Sequence, residues 1–454
     1  MTLLLAHGIG GIRDLPVPTW LFFWGAAVVL FVSFVALGIL WRRPLLERED
    51  WGGPLPGWLQ GVLFSRALRI ALGSLSFGLL VLVSVAAFVG DESPSRNLAP
   101  TFVYVVFWLG LMPVVVLLGD VWPALSPWKA AADAVAWLSE RLGIEAGSGA
   151  DYPERLGRWP AAIFLFLWAA LELAYWNPAA PRSLGLAIII YSALTWMGAA
   201  VFGREAWFEN GEAFTSYFGF LARMAPFAVR SHEGRKEILA RPPLVGLASR
   251  HVRPGSIAFV AVMLGSVAFD GFSRTVWWQD RRASLAAVSI DHFALTGTLL
   301  NVAGLLAAIA LVALAYLGAA ELSRRRSGAA GDHADFYLGS LIPIAAAYAV
   351  SHYFTLLLVQ GQFAIALASD PLGRGWDLFG TSDFQPNIAP FAPNTVWYIQ
   401  VAALVGGHVL GLALAHDRAL SVTSSPERAV RAQLPMLALM VLYTVAGLWL
   451  LAQG

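Results

Sequence analysis

The 454-residue chain contains no cysteine. Disulfides, thiolate catalysis and Cys-ligated metal sites are therefore excluded. Lysine is nearly missing as well: Lys129 and Lys236 are the only two, so almost all positive charge is arginine. Charged residues make up 13% of the chain against 58% hydrophobic ones, a balance that would leave a water-soluble globule coated in apolar surface. The formal net charge of +1 supplies no broad basic field, and no nucleic acid is expected as a partner. Also missing are the His-Glu-x-x-His zinc motif, the Gly-x-Ser-x-Gly nucleophile elbow, the Gly-x-x-x-x-Gly-Lys phosphate loop and the dinucleotide fingerprint. Nucleotide-driven pumping by this chain alone is not expected.

What the chain does have is long apolar runs. A helix needs roughly 20 mostly apolar residues to cross about 30 Å of hydrocarbon. Ten runs qualify, near 19–41, 72–90, 101–118, 159–176, 183–202, 256–272, 293–319, 338–360, 395–415 and 434–451, taken in order as spans 1 to 10. They lack the alternation of barrel strands, and in lipid each must satisfy its backbone internally, which only a helix does. The expected fold is an all-α, polytopic transmembrane bundle forming a single integral domain over 1–454, with the lipid bilayer as its first partner. Several of the 19 tryptophans stand at the ends of the runs, as in an interfacial aromatic belt. No cleavable leader is expected, because the apolar stretch at 1–5 is too short. The oligomeric state is not legible.

Orientation follows from arginine. The connections 42–71, 119–158, 203–255, 320–337 and 416–433 hold 23 of the 30 Lys and Arg. The other side holds Arg13, Arg96, Arg182, Arg274, Arg281, Arg282 and Arg374. The positive-inside rule makes the richer face cytoplasmic and puts both termini outside a plasma membrane. On the inner face, 128–141 reads as a helix lying on the membrane. The aromatic, Arg- and Glu-bearing stretch 204–223 reads as an amphipathic helix at the interface, or as a docking surface. On the outer face, 361–394 is Gly- and Pro-rich and longer than an ordinary loop, which suggests function. Two halves of five spans are compatible with inverted repeats, a transporter architecture, although no motif is shared between them.

Ionisable residues inside a span are costly and mark candidate sites. His352 in span 8 is the deepest: a ligand, a proton station, or a buried imidazole bonded to a neighbouring helix. His408 in span 9 follows Gly406 and Gly407; its separation in depth from His352 disfavours a shared metal or haem. Asp270 near the outer end of span 6 shares a helix face with Arg274 four residues on. Asp370, Arg374 and Asp377 in the outer loop extend this into a carboxylate-rich mouth, and Asp270, His352 and Asp377 are the candidate metal ligands. Glu172 in span 4, with Trp168 and Trp176 on its own helix face, reads as a boundary carboxylate paired with a neighbour. His416-Asp417-Arg418 reads as a solvated cluster where span 9 leaves the membrane. Asp291-His292 reads as a helix cap, and His7 as part of an outer tail.

Several strings occur together: AHGIGG at 6–11 with DLPVP at 14–18, GEAF at 211–214, DGFSRTVWW at 270–278, SHYF at 351–354, SDPLGRGWDLFG at 369–380 and HDRAL at 416–420. With them the chain resembles, over nearly its whole length, a group of polytopic bacterial membrane proteins that carry the name fenitrothion hydrolase. The resemblance implies cleavage of an organophosphorus triester and assigns no residue roles.

Two function classes follow. A hydrolase needs water made nucleophilic by a base or by a divalent metal ion. Asp270, His352, Asp370 and Asp377 would supply ligands or base, and Arg274 or Arg374 would stabilise phosphoryl oxygens. A small apolar substrate would enter from the lipid. A proton- or metal-coupled transporter would use His352, His408 and Asp270 as stations, with the glycine-bearing stretch after Gln360 as a gate. A subunit of a larger membrane complex is the third alternative.

Overall fold

The computed structural model describes residues 19–47, 52–144, 149–232, 235–248, 252–328 and 333–452. His7 and its glycine-rich string lie outside the described residues. Among the described residues, ten helices are long and apolar enough to cross a membrane, and they coincide with the ten expected runs. Span 1 is Thr19–Leu40, span 2 Arg66–Val89, span 4 Trp159–Leu173, span 5 Pro181–Phe202 and span 6 Ser256–Ser273. Span 7 is Phe293–Ser327, span 8 Leu341–Ser369, span 9 Pro393–Val422 and span 10 Pro426–Leu451. Span 3 covers Leu98–Leu118. The protein is an all-α, multi-pass membrane bundle.

Helix starts are chemically marked. Ser65, Asn97 and Ser425 accept backbone N–H bonds at the starts of spans 2, 3 and 10, and proline sits in the first turn of spans 4, 5, 9 and 10, where a missing N–H costs nothing. Span 3 is not uniformly wound. Phe102–Leu109 forms a wide π-type turn before ordinary helix resumes at Gly110, and Gly110 N–H reaches back to the Val105 carbonyl. Pro113 lies one turn on; its ring would crowd the carbonyl four residues back, that of Leu109, in a regular helix, and the widened winding ends at that residue.

Span 6 is the hub. It packs on spans 4, 7, 8 and 10, and most of it is buried, whereas little of the apolar stretch of spans 1 and 7 is; their bare apolar faces, such as Trp24, Phe31 and Leu311, suit lipid. Span 1 has spans 9 and 10 as its main neighbours, whereas span 6 packs on span 7, so the first helices of the two fives are surrounded differently. Spans 8 and 9 approach closely because Gly407 and Gly411 of span 9 carry no side chain. A Cβ on Gly407 would lie 2.1 Å from the Ala347 Cβ, and one on Gly411 would lie 2.6 Å from the Ser340 carbonyl oxygen.

Three expectations are corrected. The first part of the stretch after Gln360 is not broken: span 8 runs on through Gly361 to Ser369, and irregular backbone begins only at Asp370, past the end of the span. One glycine costs a helix only about 1 kcal/mol, and the apolar sequence on both sides outweighs it. Nor does 204–223 lie at an interface. It forms two helices, Arg204–Asn210 and Ala213–Ala222, and the second packs against spans 3, 4 and 8 with Phe214, Phe218 and Leu221 buried. Glu212, fully buried, anchors its start by accepting bonds from the Phe214 and Thr215 backbone N–H groups, the Thr215 hydroxyl and Tyr191.

The third correction concerns His416-Asp417-Arg418. These residues are buried and bonded, not solvated. Asp417 accepts from Trp41 Nε1 and from the Leu45 and Leu46 backbone N–H groups. His416 Nε2 meets the Trp41 carbonyl, and Arg418 pairs with Glu47. Together they latch the segment after span 1 onto span 9.

The surface helix is present as Pro127–Arg141, anchored by Trp128, whose Nε1 donates to Ser192 Oγ at 2.8 Å. An element not anticipated is a small antiparallel sheet: β1 (Gly53–Pro54), β2 (Phe227–His232) and β3 (Arg235–Ala240), ordered β1-β3-β2 with Phe227 opposite Ala240. At the start of span 7, His292 makes no side-chain cap, and the Asp291 side chain lies outside what is described.

Candidate functional site

Asp270 lies within one turn of the end of span 6 and is 1% exposed. A lone carboxylate there would be prohibitively costly, and its oxygens are accordingly engaged. Arg274 Nε and Nη2 donate to Oδ1 at 3.1 and 2.8 Å. His352 Nε2 lies 2.9 Å from Oδ2, and the Tyr353 hydroxyl donates to the same oxygen at 2.9 Å. The i, i+4 spacing brings Arg274 over Asp270 on one helix. Consecutive residues His352 and Tyr353 of span 8 reach the carboxylate from the side.

Glu172, near the end of span 4, completes the group. Its charge neighbours are Asp270 and Arg274, and it accepts no hydrogen bond from any described residue. It lines a cavity of about 20 Å³ shared with Trp108, Trp168, Tyr217, Ser266 and Tyr353. Trp168 Nε1 is buried there without an acceptor. A cavity of this size with an orphan donor and a carboxylate suits an ordered water. The walls are aromatic: Trp108 lies 4.3 Å from Tyr217 and 5.3 Å from Trp168, centroid to centroid. Two elements bring these rings in. Trp108 belongs to the wide turn of span 3, and Tyr217 to the buried helix Ala213–Ala222.

Of the expected site residues, the structure brings together Asp270, Arg274 and His352. It does not bring in Asp370, Arg374 or Asp377. Asp370 accepts from the backbone N–H groups of Arg374 and Gly375, and Arg374 reaches the Val89 carbonyl. Asp377 accepts from the Ser382 backbone N–H at 3.0 Å, which holds its carboxyl below the usual carboxylate range. These groups build an ordered loop that seats on the turn between spans 2 and 3 through Asp91 and Leu98 N–H bonds to Leu372 and Pro371. The three-ligand set of Asp270, His352 and Asp377 is therefore not assembled, and among the described residues no three His, Asp or Glu side chains are grouped to hold a metal.

His408 stands apart. Its Nδ1 bonds the Leu404 carbonyl at 2.8 Å, and its ring is separated from His352 by Tyr348 and Tyr443, in ring-to-ring steps of 6.3, 6.0 and 6.0 Å. Residues that sequence reasoning missed are Tyr353, Tyr217 and the orphan Trp168 N–H. The first was signalled by its place beside an intramembrane histidine; the other two become visible only when the helices are packed.

No protein-family model, curated protein or solved structure matches the chain.

Proposed function

We propose that the protein resides in a bacterial plasma membrane with its arginine-rich face toward the cytosol, and that it couples proton binding at Glu172, Asp270 and His352 to passage of a small apolar molecule. The supporting observation is the charge balance around Asp270. Among the described residues, the Glu172 and Asp270 carboxylates and the His352 imidazole lie by one guanidinium beside an aromatic-walled cavity, and these are the groups through which a proton can change the local charge. Charge uncompensated in an apolar interior is expensive. Protonation therefore biases how spans 4, 6 and 8 pack, and span 6 passes that bias to spans 7 and 10. The test is a pH jump on proteoliposomes adsorbed to a solid-supported membrane. Wild type should give a transient proton current that falls at least tenfold in Glu172→Gln and His352→Ala. Undiminished transients in both variants would reject the reading. A periplasm-active reporter fused after Gly454 should be active; activity confined to a cytosolic reporter would reverse the orientation.

A second reading is supported by the Asp270–His352 pair and by the resemblance to the fenitrothion hydrolase group. A carboxylate bonded to an imidazole is the arrangement of a general base, and the neighbouring cavity suits the water it would activate. Cleavage of an organophosphorus triester by detergent-purified protein, lost in His352→Ala, is the expected result. Absence of turnover in wild type rejects it.

A further inference from the structure

At the arginine-rich end of the bundle lies a second cavity of about 20 Å³, lined by Arg158, Phe220, Arg223, Ser256, Asp335 and Gly339 among others. Arg158 immediately precedes span 4, and Arg223 follows the buried helix Ala213–Ala222. Both guanidiniums lie over the same Phe220 ring, at 4.6 and 5.2 Å from its centroid. Neither donates a hydrogen bond to any described residue, and Arg158 Nε is buried with no acceptor. Nearby arginines are committed elsewhere: Arg253 to Glu209 and Asn210, Arg241 to the Ala225 and Arg223 carbonyls. Burial, with Arg241 and Arg253 close by, pushes the Arg223 guanidinium down from its ordinary value.

Span 6 begins at the same place. Ser256, its first residue, lines the cavity, and the preceding Gly255 adopts a left-handed conformation with no side chain capping the helix. The Ser256 N–H is taken by the Arg253 carbonyl at 3.1 Å, which leaves the next two first-turn N–H groups, those of Ile257 and Ala258, at the positive end of the helix dipole. One lining carboxylate, Asp335, stands against two guanidiniums, so the rim stays positive. Two forked donors, one of them with its buried Nε–H unsatisfied, beside an uncapped helix start are the elements of an oxyanion site. The cavity is about large enough for one oxygen of such a group, with the remainder held at its mouth.

We propose that the cavity between Arg158 and Arg223 binds a phosphate-bearing group, either the headgroup of an anionic lipid or free phosphate. The test uses full-length protein in detergent. Native mass spectrometry with added phosphatidylglycerol or phosphatidylcholine should show preferential retention of the anionic lipid, and phosphatidylglycerol should raise the thermal midpoint where phosphatidylcholine does not. Arg158→Gln and Arg223→Gln should each weaken retention at least fivefold, while Arg141→Gln, exposed on the same face, should not. Loss of the lipid adduct on adding millimolar inorganic phosphate assigns the site to free phosphate; persistence assigns it to the headgroup. Equal retention of both lipids by wild type, with no thermal shift from inorganic phosphate, overturns the proposal whether or not the variants fold. So does wild-type binding in both glutamine variants.

Discussion

His352 Nε2 and Asp270 Oδ2 lie 2.9 Å apart although 82 residues separate them in the chain. That contact ties span 8 to span 6, the two most buried spans, through a carboxylate that also holds Arg274 and Tyr353. Polar bonds between packed helices in lipid are individually modest. What gives this one weight is the charge it keeps compensated.

Asp270→Asn should therefore destabilise the protein by about 3 kcal/mol, because Arg274 Nε and Nη2 lose the charged acceptor they are bonded to at the edge of an apolar interior. Arg274→Gln made alone should also be costly, and the double variant should cost clearly less than the sum. Thermal unfolding in detergent, run as a double-mutant cycle, measures this; strict additivity would show that the pair is not coupled.

Gly407→Ala should separate spans 8 and 9. Its Cβ would overlap the Ala347 Cβ and sit 2.7 Å from the Pro343 carbonyl oxygen, whereas a Cβ on the adjacent Gly406 meets nothing within 4 Å. Overpacking of this kind costs about 1–3 kcal/mol or more. The expected outcome is a large fall in thermal midpoint for the first substitution and little change for the second. Equal effects would mean that the close approach is not maintained.

Asp417→Ala should release the segment after span 1. It deprives the Leu45 and Leu46 N–H groups and the Trp41 indole of their acceptor, a loss of about 2–4 kcal/mol if these donors stay buried. Hydrogen exchange should rise at 41–47 before it rises elsewhere. Unaltered protection there would contradict the latch.

The outer loop should respond to acid. Asp377 has its folded-state carboxyl held below the ordinary value by the Ser382 N–H. Its contribution is complete above the unfolded-state value, about pH 4, and is lost as pH falls through the lower folded-state value. Limited proteolysis of 370–392 should therefore accelerate only below about pH 4 in wild type, and that pH dependence should flatten in Asp377→Asn.

All ten spans were legible because hydrocarbon thickness imposes a length and backbone satisfaction imposes a helix, and both leave their mark on local composition. Asp270, Arg274 and His352 were legible for the same reason: charge inside an apolar run stands out. The outer carboxylates misled because nearness to the same face says nothing about where a side chain points. Asp370 and Asp377 each spend their oxygens on backbone N–H groups of their own loop. The stretch 204–223 misled in a different way. Aromatic residues interleaved with Arg and Glu give one pattern whether the apolar side meets lipid or protein, and only the buried Glu212 cap and its packing partners decide. His416-Asp417-Arg418 looked like a boundary cluster because its partners, Trp41 to Glu47, lie some 370 positions away.

That separation bears on biogenesis. The first span leaves the translocon with the acceptor for its Leu45 and Leu46 amides still unsynthesised, and it must wait for the ninth before those amides are satisfied. Closure of the bundle around its earliest helix is thus a late event, paced by translation. A ribosome stalled anywhere before Asp417 would leave an unlatched intermediate that membrane proteases can recognise.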